Sequence, residues 1–336
     1  MKILITGGTG FLGSYIVQEL VNGGHEVRAI RRGNRLPFFM PAAIFDKVEW
    51  VEGDILDISS LEESMEGIDA VIHAAARVSF QPGNRKELYK TNIEGTANVV
   101  NASIAGGVGR FIHISSVAAL GETVAGELTG ERRQWEENIF TTHYAVSKYQ
   151  AEMEAWRGMG EGLNVSIVNP STILGYGDWN NGSCAIFKSL YQEFPWYTEG
   201  MNGFVDVRDV ARAVFCLLES DTTGERFILS SDNWTYRRLF DCIADGLGKR
   251  RPPRKVTRFL AALAWRFEKI KSLFTGKEPV LTRESAKIAL KKSSFDNRKF
   301  LARFPDFHFT TLDQTILAAC KSYLQDEKSG NPRDFL

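Results

Sequence analysis

The chain has 336 residues, with 41 Lys plus Arg balancing 41 Asp plus Glu, so the formal net charge is zero. That length suits one large domain or two unequal ones, and the ordinary globular composition excludes disorder, collagen-like repeats and a disulfide scaffold. The absence of net charge argues against a general nucleic-acid binder.

The elements predicted from the pattern alternate. Lys2–Thr6 is a strand. Gly7, Gly10 and Gly13 follow at intervals of three, and Phe11–Asn22 has helical periodicity. Glycine permits a tight turn and a close backbone approach, and a helix N-terminus offers free N–H groups to a phosphate. Strand, turn and helix in this order predict dinucleotide binding. The next strand, Glu26–Ile30, ends in Arg31 and Arg32, where an NAD enzyme usually carries a carboxylate for the ribose 2′-hydroxyl. A guanidinium there favours a 2′-phosphate, so NADP is expected ahead of NAD.

Strands Val48–Val51, Ala70–His73, Arg110–Ile114 and Val165–Val168 follow, with helices over Ser59–Met65, Glu87–Ala105 and Tyr144–Arg157 between them. Alternation of this kind predicts an α/β fold with a doubly wound parallel sheet. Two serines, Ser115 and Ser116, end one strand, and a hydroxyl at the carboxyl end of a parallel strand faces the ligand crevice. Tyr144 and Lys148 stand four apart, on one face of a helix. A lysine cation beside the phenol would favour phenolate and lower its pKa, and Tyr144 could then exchange a proton with a carbonyl or alcohol oxygen. His73 and His113 lie in apolar strands and read as satisfied core histidines. Asp206 and Asp209 read as turn and helix-start residues.

Past Pro170 the pattern loosens into a glycine- and asparagine-rich loop and an aromatic stretch from Phe187 to Tyr197. The expected organisation is a dinucleotide-binding domain over 1–170 carrying the catalytic residues. A smaller substrate-binding subdomain follows over 171–336, with segments around 204–229 returning to the main sheet. The aromatics Tyr191, Phe194, Trp196 and Tyr197 read as core or as an apolar pocket wall.

The chain resembles the extended short-chain dehydrogenases/reductases of the NAD(P)-dependent epimerase/dehydratase group. The resemblance runs from Lys2 to about Glu219. It rests on TGGTGFLG at Thr6–Gly13, GDILD at Gly53–Asp57, HAAA at His73–Ala76, KTNIEGTANVV at Lys90–Val100 and the Ser115-Ser116 strand end. YxxSKxxAE at Tyr144–Glu152, NPSTILG at Asn169–Gly175 and FVDVRDVARA at Phe204–Ala213 complete it. It implies that Tyr144 is the acid/base, that Lys148 binds the nicotinamide ribose and tunes Tyr144, that Ser116 orients the substrate oxygen, and that Asn92 supports the active-site helix. It also implies cofactor contacts from Gly7, Gly10, Phe11, Leu12, Gly13, Asp54, Ile55, Ala74, Ala75 and Pro170, beside Arg31 and Arg32.

Within that family the chain looks most similar to the dihydroflavonol-reductase and 3β-hydroxysteroid-dehydrogenase-like branch. The features are VRAIRR, HISSVAALG, PVLTRESAKIAL at Pro279–Leu290 and FDNRK at Phe295–Lys299. The implied function is an NADP-dependent oxidoreductase interconverting a ketone or aldehyde and an alcohol. The alternative is a sugar or nucleotide-sugar epimerase/dehydratase. Sugar epimerases carry an arginine two residues before the aromatic that opens the FVDVRD strand, and here that position is Asn202. An intact Ser116, Tyr144 and Lys148 set counts against a regulator without catalysis. The family further implies a homodimer joined through the helices of Glu87–Ala105 and Tyr144–Arg157, with Ala97, Ala102, Ala151 and Ala155 allowing close approach.

Charge is unevenly spread. Lys249–Leu336 has 20 basic and 9 acidic residues, a balance of +11, against −11 for the remainder. This reads either as a compositional shift between domains or as a basic surface. Within 254–274, apolar and basic residues interleave as in an amphipathic helix, which packs on its own protein or lies on a membrane face. Four widely spaced cysteines fit neither a metal site nor a disulfide framework. No apolar run spans a membrane, and the opening strand does not read as a signal peptide, so a cytoplasmic protein without stable membrane insertion is expected.

Overall fold

The computed structural model describes residues 1–121, 126–138, 141–257, 259–263, 265–266 and 282–328. Seven strands form the main sheet: β1 (Lys2–Thr6), β2 (Glu26–Arg31), β3 (Val48–Glu52), β4 (Ala70–His73), β5 (Arg110–Ile114), β6 (Val165–Pro170) and β7 (Glu225–Leu229). Their spatial order is β7-β6-β5-β4-β1-β2-β3, and every neighbouring pair is parallel. The order reverses between β1 and β4, which makes that crevice the switch point where a doubly wound sheet binds ligand.

Strand alternation explains the two cores. Ile3 and Ile5 face one side, with Ile16, Val17 and Leu20 of α1 (Phe11–Asn22) and Val210, Val214 and Leu217 of the helix Val207–Glu219. Leu4, Val71, Phe111 and Val165 face the other, with Val99 and Val100 of α2 (Gly95–Ala105) and Ala155 of α3 (His143–Gly160). Both faces are dry, so the strands read as near-continuous apolar runs.

Glu225–Leu229 joins the main sheet as expected from its apolar run, but Phe204–Val207 does not. Met201–Asp206 pairs instead with Thr172–Leu174 and Asp232–Thr235 in a separate three-stranded sheet. β7 takes the edge of β6, and this segment finds its partners in the short sheet instead. Asp206 caps the helix that follows by accepting from Arg208 N, and Asp209 accepts from the Thr310 amide and hydroxyl. A third core, around Phe187, Phe204, Trp234, Leu239, Ile316 and Tyr323, joins this sheet to the C-terminal helix Leu312–Lys328. Tyr197 is buried and Tyr191 packs on that core, while Phe194 is exposed.

The helix expected over Glu87–Ala105 is interrupted. Arg85–Tyr89 is α-helical, Lys90–Glu94 is one turn of π-helix, and α2 resumes at Gly95. A Cβ on Gly95 would lie 2.5 Å from Ile55 Cδ1, so glycine is what lets the helix approach there. Ala102, Ala151 and Ala155, expected at a subunit interface, are instead buried within the chain. They let α3 settle on α2 and the sheet, as does Gly158, where a Cβ would meet Val100 Cγ1 at 2.6 Å. The C-terminal part of the 254–274 segment, 267–274, lies outside the described residues, as does the start of the PVLTRESAKIAL motif, 279–281. The four cysteines are free thiols, and no described helix is long and apolar enough to cross a membrane.

Candidate active site

The carboxyl edge of the sheet gathers the site. The chain leaves β1 through Gly7 at φ +74°, where a Cβ would lie 2.7 Å from Ala75 N and 2.8 Å from the Ala74 carbonyl carbon. At Gly13 a Cβ would sit 2.0 Å from Gly7 O. Only glycine fits either place, and this holds the loop flat against β4. Gly10 begins α1 with no side-chain cap, and the first helical bond is Ser14 N to Gly10 O at 3.0 Å. The amides of Phe11, Leu12 and Gly13 precede that bond and are the orphan donors of the helix end. This cradle fits a pyrophosphate. The Phe11 ring turns away, edge-on to Tyr15 and Phe39 at 6.0 and 6.3 Å.

Arg31 ends β2, its guanidinium 5.7 Å from the centroid of the Trp50 ring, and Arg32 beyond it is exposed. Neither forms an ion pair with a described carboxylate, so both suit a phosphate. Gly53 N donates to Arg31 O at 3.0 Å, which brings Asp54 beside them. Asp54 Oδ1 accepts from Leu56 N, and Ile55 is buried beneath Gly95. Pro170 ends β6 on the same edge, opposite Leu229.

A directional chain of hydrogen bonds ties the glycine loop to α3. Thr96 Oγ1 donates its proton to Asn92 O at 2.6 Å, so His73 Nε2, 2.9 Å away, is the donor to Thr96. His73 Nδ1 then accepts from Thr6 Oγ1 at 2.7 Å, and Thr6 Oγ1 accepts from Ala75 N at 3.2 Å. Burial first, then the Lys148 charge, pushes His73 down to about 3, so the ring is a neutral connector. Asn92 closes the chain: its amide donates to Ser147 Oγ at 2.9 Å and to Arg77 O at 3.0 Å, and Oδ1 accepts from Arg77 N at 2.7 Å. His113 departs from expectation. It is buried against His73, ring centroids 5.5 Å apart, and neither ring nitrogen has a partner. Burial and then Lys148 keep it neutral, well below the usual histidine range.

Tyr144 stands in the first turn of α3, whose cap is Thr142 Oγ1 accepting from Ala145 N at 3.1 Å. The Tyr144 phenol lies beside Ser116, whose hydroxyl favours its charged form, and edge-on to Phe80, centroids 5.6 Å apart. Ser116 Oγ also accepts from Ala118 N at 3.1 Å, which fixes its rotamer. Burial pushes the Tyr144 phenol up from its ordinary range, and the neighbouring Ser116 hydroxyl pulls it down. Lys148 Nζ donates to Ile114 O at 2.8 Å, and burial drives it down to about 8 against the opposing pull of Glu152.

Sequence reasoning missed the support beneath Ser116. Ser115 Oγ donates to Glu152 Oε2 at 2.6 Å, so this serine is structural. Glu152 is fully buried and also accepts from Asn169 Nδ2 and from Arg226 Nη1, each at 2.8 Å. Asn169 Nδ2 reaches Ser116 O at 3.0 Å. Arg226 extends the network to the carbonyls of Glu131 and Arg133, while Glu131 Oε1 accepts from Ile228 N on the free edge of β7. Trp135 stacks on Tyr149 at 4.3 Å. The 131–135 loop is thereby clamped to α3. The available signals were Glu152 at the end of the YxxSKxxAE motif and an arginine inside the apolar strand Glu225–Leu229.

A glycine cradle at the switch point, with a serine, tyrosine and lysine grouped on the same edge, defines an NAD(P)-dependent enzyme. A family model described as the NAD dependent epimerase/dehydratase family matches residues 3–229, and the chain belongs to that family. It is an enzyme of the extended short-chain dehydrogenase/reductase type. A Synechocystis sp. protein carrying the provisional name dihydroflavonol 4-reductase is 30% identical over 302 residues, covering 88% of this chain and 87% of its own. Sterol demethylase protein B of Methylococcus capsulatus is 31% identical, covering 75% of this chain and 76% of its own. Among solved structures, gox2253 superposes with a TM-score of 0.80 at 28% identity, covering 96% of this chain and 98% of its own. The dTDP-glucose 4,6-dehydratase DesIV of Streptomyces venezuelae superposes at 0.79 with 21% identity, covering 99% of this chain and all of its own, a likeness of fold.

Proposed function

We propose that the protein is an NADP-dependent oxidoreductase interconverting a ketone or aldehyde and an alcohol. The observation that carries this reading is that Ser116 and the Tyr144 phenol stand side by side on the same sheet edge as the glycine cradle. A substrate oxygen entering between the two hydroxyls accepts from both. The glycine cradle would hold the pyrophosphate of a nicotinamide cofactor, which would supply or take up hydride at the substrate carbon. Tyr144 then gives a proton to the oxygen in reduction, or removes one in oxidation. Ser116, held by Ala118 N and by the Asn169 bond to its carbonyl, orients that oxygen. Lys148, anchored on Ile114 O, offers its remaining protons to the cofactor ribose and the phenol.

Arg31 and Arg32, without carboxylate partners, support NADP over NAD. Asn202 argues against a nucleotide-sugar substrate, because its amide is engaged within the chain, donating to Thr172 Oγ1 at 2.8 Å. A neutral, internally engaged side chain there offers a diphosphate no charge. Reductase and dehydrogenase names among the relatives support the same reading. The test is a screen of ketones, aldehydes and nucleotide sugars that follows NADPH absorbance and sugar products together. Epimerised or dehydrated sugar without net cofactor turnover would reject the proposal.

A homodimer is part of the reading. Met153 and Met159 of α3 are 36% and 40% exposed, apolar surface that a partner subunit would cover. Light scattering at micromolar concentration is expected to give twice the chain mass, and monomer alone would refute it. The free thiols and the absence of a described membrane-crossing helix fit a cytoplasmic enzyme.

A further inference from the structure

Seven basic residues and no acidic one occur from Lys249 to Arg266: Lys249, Arg250, Arg251, Arg254, Lys255, Arg258 and Arg266. In the same stretch the structure turns large apolar side chains outward. Phe259 is 71% exposed, Leu260 39% and Leu263 49%, at helical spacing, while Ala261 faces inward at 6%. An amphipathic segment that packed on its own protein would bury these three. Carboxylates answer only part of the charge: Lys255 pairs with Glu199 and Arg251 with Asp245, and Glu193 accepts from the Arg250 amide. Lys249 and Arg254 lie over the rings of Tyr191 and Trp196, and Arg266 donates to Ala262 O, so among the described residues no carboxylate pairs with these three.

We infer that this face binds the surface of an anionic lipid bilayer. Exposed aliphatic and aromatic side chains enter the acyl boundary, and the surrounding cations meet lipid phosphates. Two physical arguments select this occupant. A second copy of the chain would bring one all-basic stretch against another, which like-charge repulsion opposes. The three apolar side chains stand exposed on one short helical stretch, which suits insertion between lipids. The contact is peripheral, and it is independent of the chemistry proposed above.

The experiment uses the full chain and vesicles of phosphatidylcholine, with or without about 30% phosphatidylglycerol. Co-sedimentation is expected only with the anionic vesicles, and weaker at about 0.5 M salt. Phe259→Ser with Leu263→Ser should lower the partition coefficient at least about tenfold. Arg254→Glu with Lys255→Glu should remove the preference for anionic lipid. Leu317→Ser, at an equally exposed position on the C-terminal helix, should change nothing, and because all of these side chains are exposed the melting temperature should hold. Failure of the wild type to sediment with anionic vesicles would overturn the inference, as would wild-type binding by the Phe259→Ser/Leu263→Ser variant. Loss of self-association in place of lipid binding would equally overturn it. NADPH turnover in solution is expected to be unaffected throughout, so a negative result here leaves the proposed reaction standing.

Discussion

Arg226→Ala separates the buried clamp from an ordinary surface ion pair. Arg226 is 19% exposed and its partner Glu152 is fully buried. Removing the guanidinium leaves a buried carboxylate with only the Ser115 and Asn169 donors, and strands the carbonyls of Glu131 and Arg133. Breaking a buried pair costs about 3–5 kcal/mol, and the residual exposure of Arg226 places this one near the lower figure. Urea unfolding of Arg226→Ala, Glu152→Gln and the double variant measures it. The double variant should be less destabilised than the sum of the singles by on the order of 1–3 kcal/mol, because neutralising Glu152 removes the unpaired charge. Turnover should fall as well, since the same network fixes the Ser115–Ser116 corner. Additive single effects, or a cost for Arg226→Ala below about 1 kcal/mol as for an exposed pair, would refute the reasoning.

Two further outcomes follow from the site. The neighbouring Ser116 hydroxyl lowers a phenol that burial raises, so Ser116→Ala should move the rising limb of the alcohol-oxidation pH profile to higher pH; an unmoved or lower midpoint would contradict the assignment. Arg31→Asp should cost about 1.5–3 kcal/mol of NADP affinity and shift preference to NAD, read by titrating both cofactors; equal or tighter NAD binding by the wild type would defeat the NADP proposal.

The parts of the molecule legible in sequence are those set by local chemistry. The glycines at 7, 10 and 13 announce their loop because no other residue fits, and buried parallel strands read as apolar runs because both faces are covered. The spacing of Tyr144 and Lys148 follows from helix geometry alone. What stayed hidden depends on residues far apart in the chain. Glu152 and Arg226 are 74 positions apart, and neither carries a pattern that names the other. Met201–Asp206 looks like any main-sheet strand until β7 is seen to occupy the edge beside β6. His113 read as a satisfied core histidine because its strand is apolar, and partners on neighbouring elements do not show in one strand's pattern. Burial of the Tyr144 phenol, which pushes its pKa up, is a three-dimensional property that the spacing of Tyr144 and Lys148 does not show.

The most direct test of the central claim is Tyr144→Phe, assayed for NADPH turnover on a carbonyl substrate from the screen and for cofactor binding by titration. The ring still fills its place against Phe80, so fold and cofactor affinity should hold. Only the proton carrier is lost, and turnover should fall by roughly 10²–10⁴. Near-wild-type turnover in Tyr144→Phe would contradict the mechanism and leave only a dinucleotide-binding fold.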